Sequence, residues 1–204
     1  PSTSSAASDV YKRQIQLEMK LTGIVGVSAF NEKVHNDAQD MRLTEEIVSP
    51  IHQHLFNVRL DWFLDGGENQ LFEINVKPVS NDFENSSELQ FQAISKHLKN
   101  ENEAKRNIDP STSRTWKIVN GKVKNKIGNP TAYKILPGNS PTLMSGPKSI
   151  VGKRASFAKH NLWATPYEAK EMYAAGTHTV MHGGEGGLSA VSYTHLTLPT
   201  RLMV

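Results

Sequence analysis

The sequence contains no cysteine, which excludes disulfides and thiolate metal ligands in this segment and leaves the cellular compartment undecided. It also lacks any apolar run long enough for a membrane span, and its mean hydropathy is −0.47. An excess of one charge is missing too: 23 Lys and Arg against 20 Asp and Glu leave only +3, spread along the chain. We therefore predict neither a membrane span nor a nucleic-acid partner for this segment.

What the 204 residues do offer is enough length for one sizeable domain, built from short alternating segments. Strands are predicted within residues 15–30 (with a bend at Gly23), 51–64, 70–76, 114–121 and 131–137. Residues 31–49 are polar and predict a loop, whereas residues 87–106 fit either a helix or a strand. Because little of the pattern is convincingly helical, we predict a mainly β chain, an antiparallel β-sandwich.

The central feature is a pair of histidines, His52 and His54, in a segment with strand periodicity. Alternation puts both side chains on one face, in line with Phe56 and Val58. Two imidazoles on an apolar face would bury unsatisfied nitrogen atoms unless something binds them, and a shared metal ion meets that need. The segment is predicted to form a hairpin with residues 70–76, through a turn at Asp65 to Asn69 that is rich in residues tolerating positive φ.

Three other interpretations of the histidine pair stay open on spacing alone. Such histidines also occur in strands where they hydrogen-bond to carbonyl groups or water. A cupin-type metal enzyme uses a similar pair, but its glutamate would fall where Val58 and Arg59 stand. A non-catalytic β-sandwich binding module is the third alternative. Copper and zinc sites also need at least three protein ligands, so a further ligand must come from elsewhere.

The segment Ile51-His52-Gln53-His54-Leu55-Phe56-Asn57-Val58-Arg59-Leu60-Asp61 resembles the copper-ligand strand of the copper amine oxidases nearly residue for residue. Further motifs of that family follow in the same order. They are Leu21-Thr22-Gly23-Ile24, Trp116-Lys117-Ile118, Ala132 to Pro137, Ala158 to Tyr167 and the glycine-rich Gly183 to Leu188. The resemblance covers most of residues 15–190 and implies the catalytic-domain fold of the family.

By this resemblance, His52 and His54 are two of the three copper-ligating histidines. The family's third histidine lies beyond the glycine loop, its topaquinone tyrosine sits in an Asn-Tyr-Asp/Glu motif upstream of Ile15, and its aspartate base lies further upstream. Tyr11 lacks that motif. The resemblance thus assigns no catalytic or cofactor-binding residue to this chain, which we expect to be an internal fragment, inactive by itself.

The resemblance also implies peripheral calcium-type sites, since oxygen ligands suit a hard cation. Asp61 and the carbonyl of Trp62 match one site, although Phe63 stands where many members have an aspartate. Glu101 matches a ligand of another such site more loosely. The alternative for Asp61 is a solvent-facing partner of Arg59.

Two further histidines are assigned no metal. We expect His35 to be a solvated loop histidine and His160 to be structural.

The activity implied for the parent protein is oxidative deamination of a primary amine by dioxygen, with aldehyde, ammonia and hydrogen peroxide as products. Copper and topaquinone are the implied cofactors, and a homodimer is the implied assembly. The sequence does not indicate which amine is preferred.

Both ends differ in character from the middle. Residues 1–14 and 191–204 resemble translated adapter sequence, and we expect a partial catalytic domain over residues 15–190. In that interpretation His195 is no ligand, and the end segments have no packed role.

Overall fold

The computed structural model describes residues 2–10, 14–35, 40–66, 69–79, 90–136, 138, 141–176, 178–180, 186–190 and 200–203, with the side chains of 2–10 and 200–203 left aside. The strands are β1 (Ser2–Val10), β2 (Gln14–Thr22), β3 (Ser28–Ala29), β4 (Asp40–Arg42), β5 (Ile47–Pro50), β6 (Arg59–Asp61), β7 (Asn69–Pro78), β8 (Phe91–Leu98), β9 (Thr115–Lys124), β10 (Pro130–Ile135), β11 (Trp163–Pro166) and β12 (Thr200–Met203). One short helix, α1 (Ile150–Arg154), and 3-10 turns at Pro110–Thr112, Ser156–Lys159 and Leu188–Ala190 complete the described elements.

The chain forms two compact units, Pro1–His54 and Leu55–Val204. The first contains the β1-β2 hairpin and a three-stranded sheet in the order β3-β5-β4. The second contains a four-stranded sheet, β10-β9-β7-β8, and a three-stranded sheet, β11-β12-β6. Every described strand pair is antiparallel, so the predicted mainly β, antiparallel class is confirmed.

The hydrophobic core of the second unit lies against the four-stranded sheet. Strand β7 alternates buried and less buried residues because successive side chains point to opposite faces. The main cluster of this core comprises Leu71, Leu98, Ala104, Trp116, Ile118, Ile135, Leu162 and Ala164. A second cluster comprises Trp163, Ala174 and Leu188, with Phe157 packed against it.

The predicted hairpin between residues 51–64 and 70–76 is wrong. Only Arg59–Asp61 forms a strand in the first segment, and it pairs with β12 rather than with β7. The turn between them does form, with positive φ at Asp65 (46°) and Gly66 (101°). Asn120 donates hydrogen bonds to the carbonyl groups of Leu64 and Asp65, both at 2.8 Å. A contact from a distant strand thus holds the turn, so the flanking segments need not pair with each other.

One other segment departs from the sequence interpretation, and the structure decides another that was left open. Residues 31–49 were predicted as loop, but they contain β4 and part of β5, strands too short to show a period. The strand alternative holds for residues 91–98 within the ambiguous segment, where β8 pairs with β7 along its whole length. The predicted strands at 114–121 and 131–137 are confirmed as β9 and β10, with a turn at Gly128 (φ 83°) between them.

The backbone of both adapter-like ends forms strands. Ser2–Val10 pairs with β2 in a hairpin, and β12 lies between β11 and β6. Backbone hydrogen bonds need no particular side chain, so the expectation that these ends have no packed role, which concerns their side chains, stays a prediction. Residues 191–199, with His195, lie outside the described residues, as does Tyr11. None of the helices in the described part of the chain has the length and apolar character needed to cross a bilayer.

Candidate metal centre

The rings of His52 and His54 converge in the structure. Their Nε2 atoms lie 3.0 Å apart, and the ring centroids are 4.8 Å apart in an edge-on arrangement. Both side chains therefore present the same ring nitrogen to one point, as predicted from the spacing of the two residues.

The surroundings of the pair differ from the prediction. Residues 51–58 lie outside the described strands, and both histidines are exposed. The argument from imidazoles buried on an apolar face is therefore wrong, because exposed rings can be hydrated. The two histidines follow directly after β5, which ends at Pro50, and their rings meet although the segment joins no described sheet.

A carbonyl group fixes the tautomer of His52. Its Nδ1 lies 3.0 Å from the carbonyl oxygen of Pro50, and a carbonyl can only accept, so Nδ1 carries the proton. In a neutral ring, Nε2 of His52 is then the atom with the lone pair. In metal-bound histidines, the ring nitrogen that does not bind the metal generally donates its N–H to a carbonyl or carboxylate group. The His52 ring is thus oriented for coordination through Nε2.

The separation of the two nitrogen atoms fits a shared metal ion. Bonds of about 2.0–2.1 Å from one ion to two imidazoles place the nitrogens about 2.8–3.4 Å apart for bond angles between square and tetrahedral. The observed 3.0 Å, which in this structure is a hydrogen bond donated by His54 Nε2 to His52 Nε2, falls inside that range. Among the described residues, no group of three or more His, Cys, Asp or Glu side chains is placed to hold a metal. The pair therefore supplies two candidate ligands, and a complete site would need at least one more.

The residues matched to calcium-type sites have other partners. Asp61 Oδ1 accepts a hydrogen bond from Arg59 Nε at 3.0 Å, which is the alternative foreseen for this aspartate. The carbonyl of Trp62 accepts from Asn69 Nδ2, also at 3.0 Å. Glu101 is buried in the turn that follows β8.

His160 has the structural role that the sequence suggested, whereas His35 is half-buried rather than fully solvated. His35 directly follows a turn, and its Nδ1 accepts a hydrogen bond from the Asn31 amide at 3.1 Å. His160 is half-buried, with its ring edge against Trp163 at 5.0 Å between centroids. Burial and the positive charges of nearby basic residues lower the pKa of His160, which favours a neutral ring used for packing. Those basic residues are Lys105, Arg106 and Lys159.

The sequence interpretation missed a buried carboxylate at Glu73. This residue is 2% exposed, and Trp116 Nε1 donates to it at 3.3 Å. Asn75 Nδ2 also donates to it, at 3.0 Å, and Arg114 Nε lies 3.4 Å away. The signal was present, since Glu73 shares the core-facing side of β7 with Leu71. A charged residue at a core position requires partners, and two arginines supply them.

The described elements define the class of the chain as mainly β with antiparallel sheets. The family model for the copper amine oxidase enzyme domain matches residues 11–196, so the chain belongs to the copper amine oxidase family. It is 34% identical over 164 residues to a primary amine oxidase of Arthrobacter sp. (strain P1), covering 80% of this chain and 25% of that protein. It is 35% identical over 176 residues to the histamine oxidase of Arthrobacter globiformis, covering 86% and 25%.

Solved structures show the same fold. A copper-containing benzylamine oxidase from Hansenula polymorpha superimposes with a TM-score of 0.81 at 24% identity, over 93% of this chain and 30% of that one. An amine oxidase from Aspergillus nidulans gives 0.77 at 19% identity, over 93% and 26%. The chain spans about a quarter of the length of the curated relatives named above, 25% in each case.

Proposed function

We propose that this chain is part of a copper- and topaquinone-dependent enzyme that oxidises primary amines to aldehydes with dioxygen and releases ammonia and hydrogen peroxide. The observation that carries the proposal is the convergence of His52 and His54 in a chain of the copper amine oxidase family. The two rival interpretations, a cupin-type enzyme and a non-catalytic binding module, gain no support from relatives that are all named as oxidases.

In this proposal, His52 and His54 hold copper through Nε2. The Pro50 carbonyl keeps the His52 ring in the tautomer and orientation that the role requires. When bound, copper would supply redox chemistry with dioxygen, and topaquinone would supply an electrophilic carbonyl group for amine oxidation. Within this chain, the task of the two histidines is to bind and orient.

The proposal distinguishes the longer protein from the 204-residue chain. The resemblance matches no residue here to the quinone tyrosine, the aspartate base or the third histidine. We therefore expect this chain alone to bind copper weakly, form no quinone and produce no peroxide. The longer protein is proposed to act as a homodimer. Calcium at Asp61, Trp62 and Glu101 is a secondary part of the proposal, because Arg59 and Asn69 already engage two of those groups.

A copper titration of the 204-residue chain tests the two candidate ligands directly. We expect measurable Cu(II) binding with nitrogen hyperfine structure in the electron paramagnetic resonance spectrum. His52→Ala and His54→Ala should each weaken it at least about tenfold, since one imidazole does not chelate. His178→Ala, which removes an exposed histidine elsewhere, is the matched control. If neither His52→Ala nor His54→Ala weakened Cu(II) binding, the metal assignment would be contradicted.

Activity is tested in the longer protein that contains this segment. We expect peroxide release with a primary amine such as methylamine, histamine or benzylamine, and a quinone adduct with phenylhydrazine. His52→Ala should remove both signals because quinone formation itself needs the copper. Amine-dependent peroxide from the 204-residue chain would refute the fragment argument, whereas a longer protein without copper and quinone would refute the proposed function.

A further inference from the structure

Residues 110–167 contain no acidic residue. Ten of the 23 lysines and arginines lie in this stretch, whereas all 20 aspartates and glutamates lie outside it. The net charge of +3 therefore conceals a formal charge of +10 in this stretch and −7 in the rest of the chain. The expectation that the charge is spread along the chain is wrong for these residues. Segregation of charge on this scale indicates a surface that contacts an anionic partner.

The structure gathers half of these basic residues on one hairpin. Strands β9 and β10 and the turn between them hold five of the ten, which are Lys117, Lys122, Lys124, Lys126 and Lys134. Lys117 and Lys134 are register partners on the two strands, so two like charges stand directly opposite each other. Such a pair is unfavourable by itself, and a nearby anion relieves the repulsion.

The far half of this hairpin is exposed but ordered by its own hydrogen bonds. Its base contributes to the buried core, whereas residues 121–129 are all exposed. In the turn, Asn125 Oδ1 accepts hydrogen bonds from the amides of Ile127 at 3.1 Å and Asn129 at 2.9 Å. The Asn125 carbonyl also accepts a hydrogen bond from the Gly128 amide at 3.0 Å. Because these contacts fix the turn, its outward side chains are presented at defined positions.

An apolar side chain stands at the tip of the hairpin among the lysines. Ile127 is 80% exposed and follows Lys126 directly. Val123, 36% exposed, lies between Lys122 and Lys124 on β9. Lysines at the edge of a sheet also prevent pairing with other strands, but that role needs no exposed isoleucine. An anionic polymer offers isoleucine no apolar contact, whereas the boundary between lipid headgroups and acyl chains accommodates both kinds of side chain.

We propose that the tip of the β9–β10 hairpin, residues 121–129, docks on a membrane surface that contains anionic lipids. Ile127 enters the boundary between headgroups and acyl chains, while Lys124 and Lys126 lie against the anionic headgroups. One apolar side chain and a few lysines give a weak and reversible peripheral association, which added salt weakens by screening the charges. The inference depends neither on copper nor on the proposed activity.

Sedimentation with vesicles tests this docking on the 204-residue chain. We expect binding to vesicles of equal parts phosphatidylserine and phosphatidylcholine, and little binding to phosphatidylcholine alone. Lys124→Gln and Lys126→Gln should each weaken binding about fivefold, the effect of one basic residue near an anionic surface. Lys153→Gln removes the same charge from an exposed position on α1 and is the matched control. Equal losses in all three variants, or no binding by the unsubstituted chain, would overturn the proposal.

The contribution of Ile127 distinguishes a lipid surface from other polyanions. Ile127→Ser should weaken vesicle binding at least about tenfold, because an apolar side chain no longer leaves water. Ile24→Ser, at a position that is 95% exposed, should leave binding unchanged. If Ile127→Ser bound the vesicles as well as the unsubstituted chain does, the surface would recognise charge alone and the lipid assignment would be refuted.

A fluorophore at the tip reports insertion directly. Because the chain has no cysteine, Ile127→Cys and Ile24→Cys each accept a single environment-sensitive label. We expect the emission of the Ile127→Cys conjugate to shift to shorter wavelength on anionic vesicles, and that of the Ile24→Cys conjugate to stay the same. Circular dichroism checks that each variant is folded. The same vesicle assay on the longer protein shows whether the tip is accessible there, and a longer protein that binds no anionic vesicle would contradict the proposal.

Discussion

Arg106 binds Glu73 through two hydrogen bonds, although the residues are 33 positions apart. Nε lies 2.6 Å from Oε2 and Nη2 lies 2.7 Å from Oε1, a two-point geometry that is stronger and more directional than a single contact. The backbone of Arg106 also forms a two-bond bridge with Leu162. The pair therefore ties the centre of β7 to the segment that leads into β11.

Replacing Arg106 by methionine should destabilise the protein strongly. The substitution keeps much of the side-chain volume, but it removes the bidentate partner of Glu73, whose side chain is only 2% exposed. Breaking a buried ion pair from one side typically costs about 3–5 kcal/mol, and Arg114 at 3.4 Å offsets part of this loss. We expect the free energy of unfolding, measured in urea, to fall by about 3 kcal/mol.

Lys96→Met is the matched control for that measurement. Lys96 is the register partner of Glu73 on β8, yet it is exposed. Removing its charge should change the free energy of unfolding by less than about 0.5 kcal/mol. Equal losses in the two variants would mean that net charge, rather than the buried pair, controls stability.

Stability should decline in acid because Glu73 becomes protonated. Burial raises the pKa of Glu73, but hydrogen bonds from Arg106 and Asn75 and the charges of Arg106 and Arg114 lower it by more, so it lies below its ordinary value of 4.5. The unfolded chain therefore takes up this proton first. The contribution is complete above about pH 4.5 and is lost as pH falls through the folded pKa. Glu73→Gln should flatten the acid limb of a stability–pH curve, and an unchanged limb would contradict this assignment.

His97 should produce a second, milder pH dependence. Burial and the charge of Lys99 lower the pKa of His97 below its ordinary value of 6.5, and its ring stacks on Phe72 at 4.8 Å between centroids. Because the unfolded chain binds the proton more readily, stability should be highest above about pH 6.5 and fall below it. His97→Gln should reduce the loss between pH 7.5 and 5.5. His178→Gln, at an exposed site, is the control for the substitution itself.

Local sequence predicted the strands whose own residues show a strand pattern and whose ends are marked by turn residues. Strand β9 has buried residues at Trp116 and Ile118, and Pro130 and Gly128 mark the turn into β10. It failed where a distant segment decides the pairing. Residues 59–61 join β12, more than a hundred positions away, because Asn120 holds the intervening turn and leaves no need for a local hairpin. The hydrophobic pattern of a few neighbouring residues cannot indicate which distant strand they will pair with.

The candidate metal pair was found for a reason that was only partly correct. His52 and His54 do come together as their spacing predicted, but they do so outside the described strands, and both side chains are exposed. The contact that orients His52, the carbonyl of Pro50, belongs to the backbone and leaves no trace in side-chain patterns. The charge of Glu73 is visible in the sequence, whereas the arginines that neutralise it come from segments 33 and 41 positions later in numbering, Arg106 and Arg114.

Two adjacent glycines in the loop before Leu188 differ in what a side chain would meet. Both have positive φ, 80° at Gly186 and 72° at Gly187. A Cβ at Gly187 would lie 2.6 Å from the carbonyl oxygen of Ala174, which accepts the hydrogen bond of the Leu188 amide. A Cβ at Gly186 would meet nothing within 4 Å. The pair therefore separates backbone strain from steric conflict.

Gly187→Ala should cost clearly more stability than Gly186→Ala. Alanine in the left-handed region costs about 1–2 kcal/mol, and both variants incur that cost. At Gly187 the new methyl group also forces apart backbone atoms that anchor Leu188 against Trp163 and Ala174, so we expect a total loss of about 3 kcal/mol or more. Urea unfolding followed by tryptophan fluorescence measures both, because Trp163 lies in the affected cluster. Equal losses would show that the loop moves away from Ala174 at little cost and does not fix this part of the core.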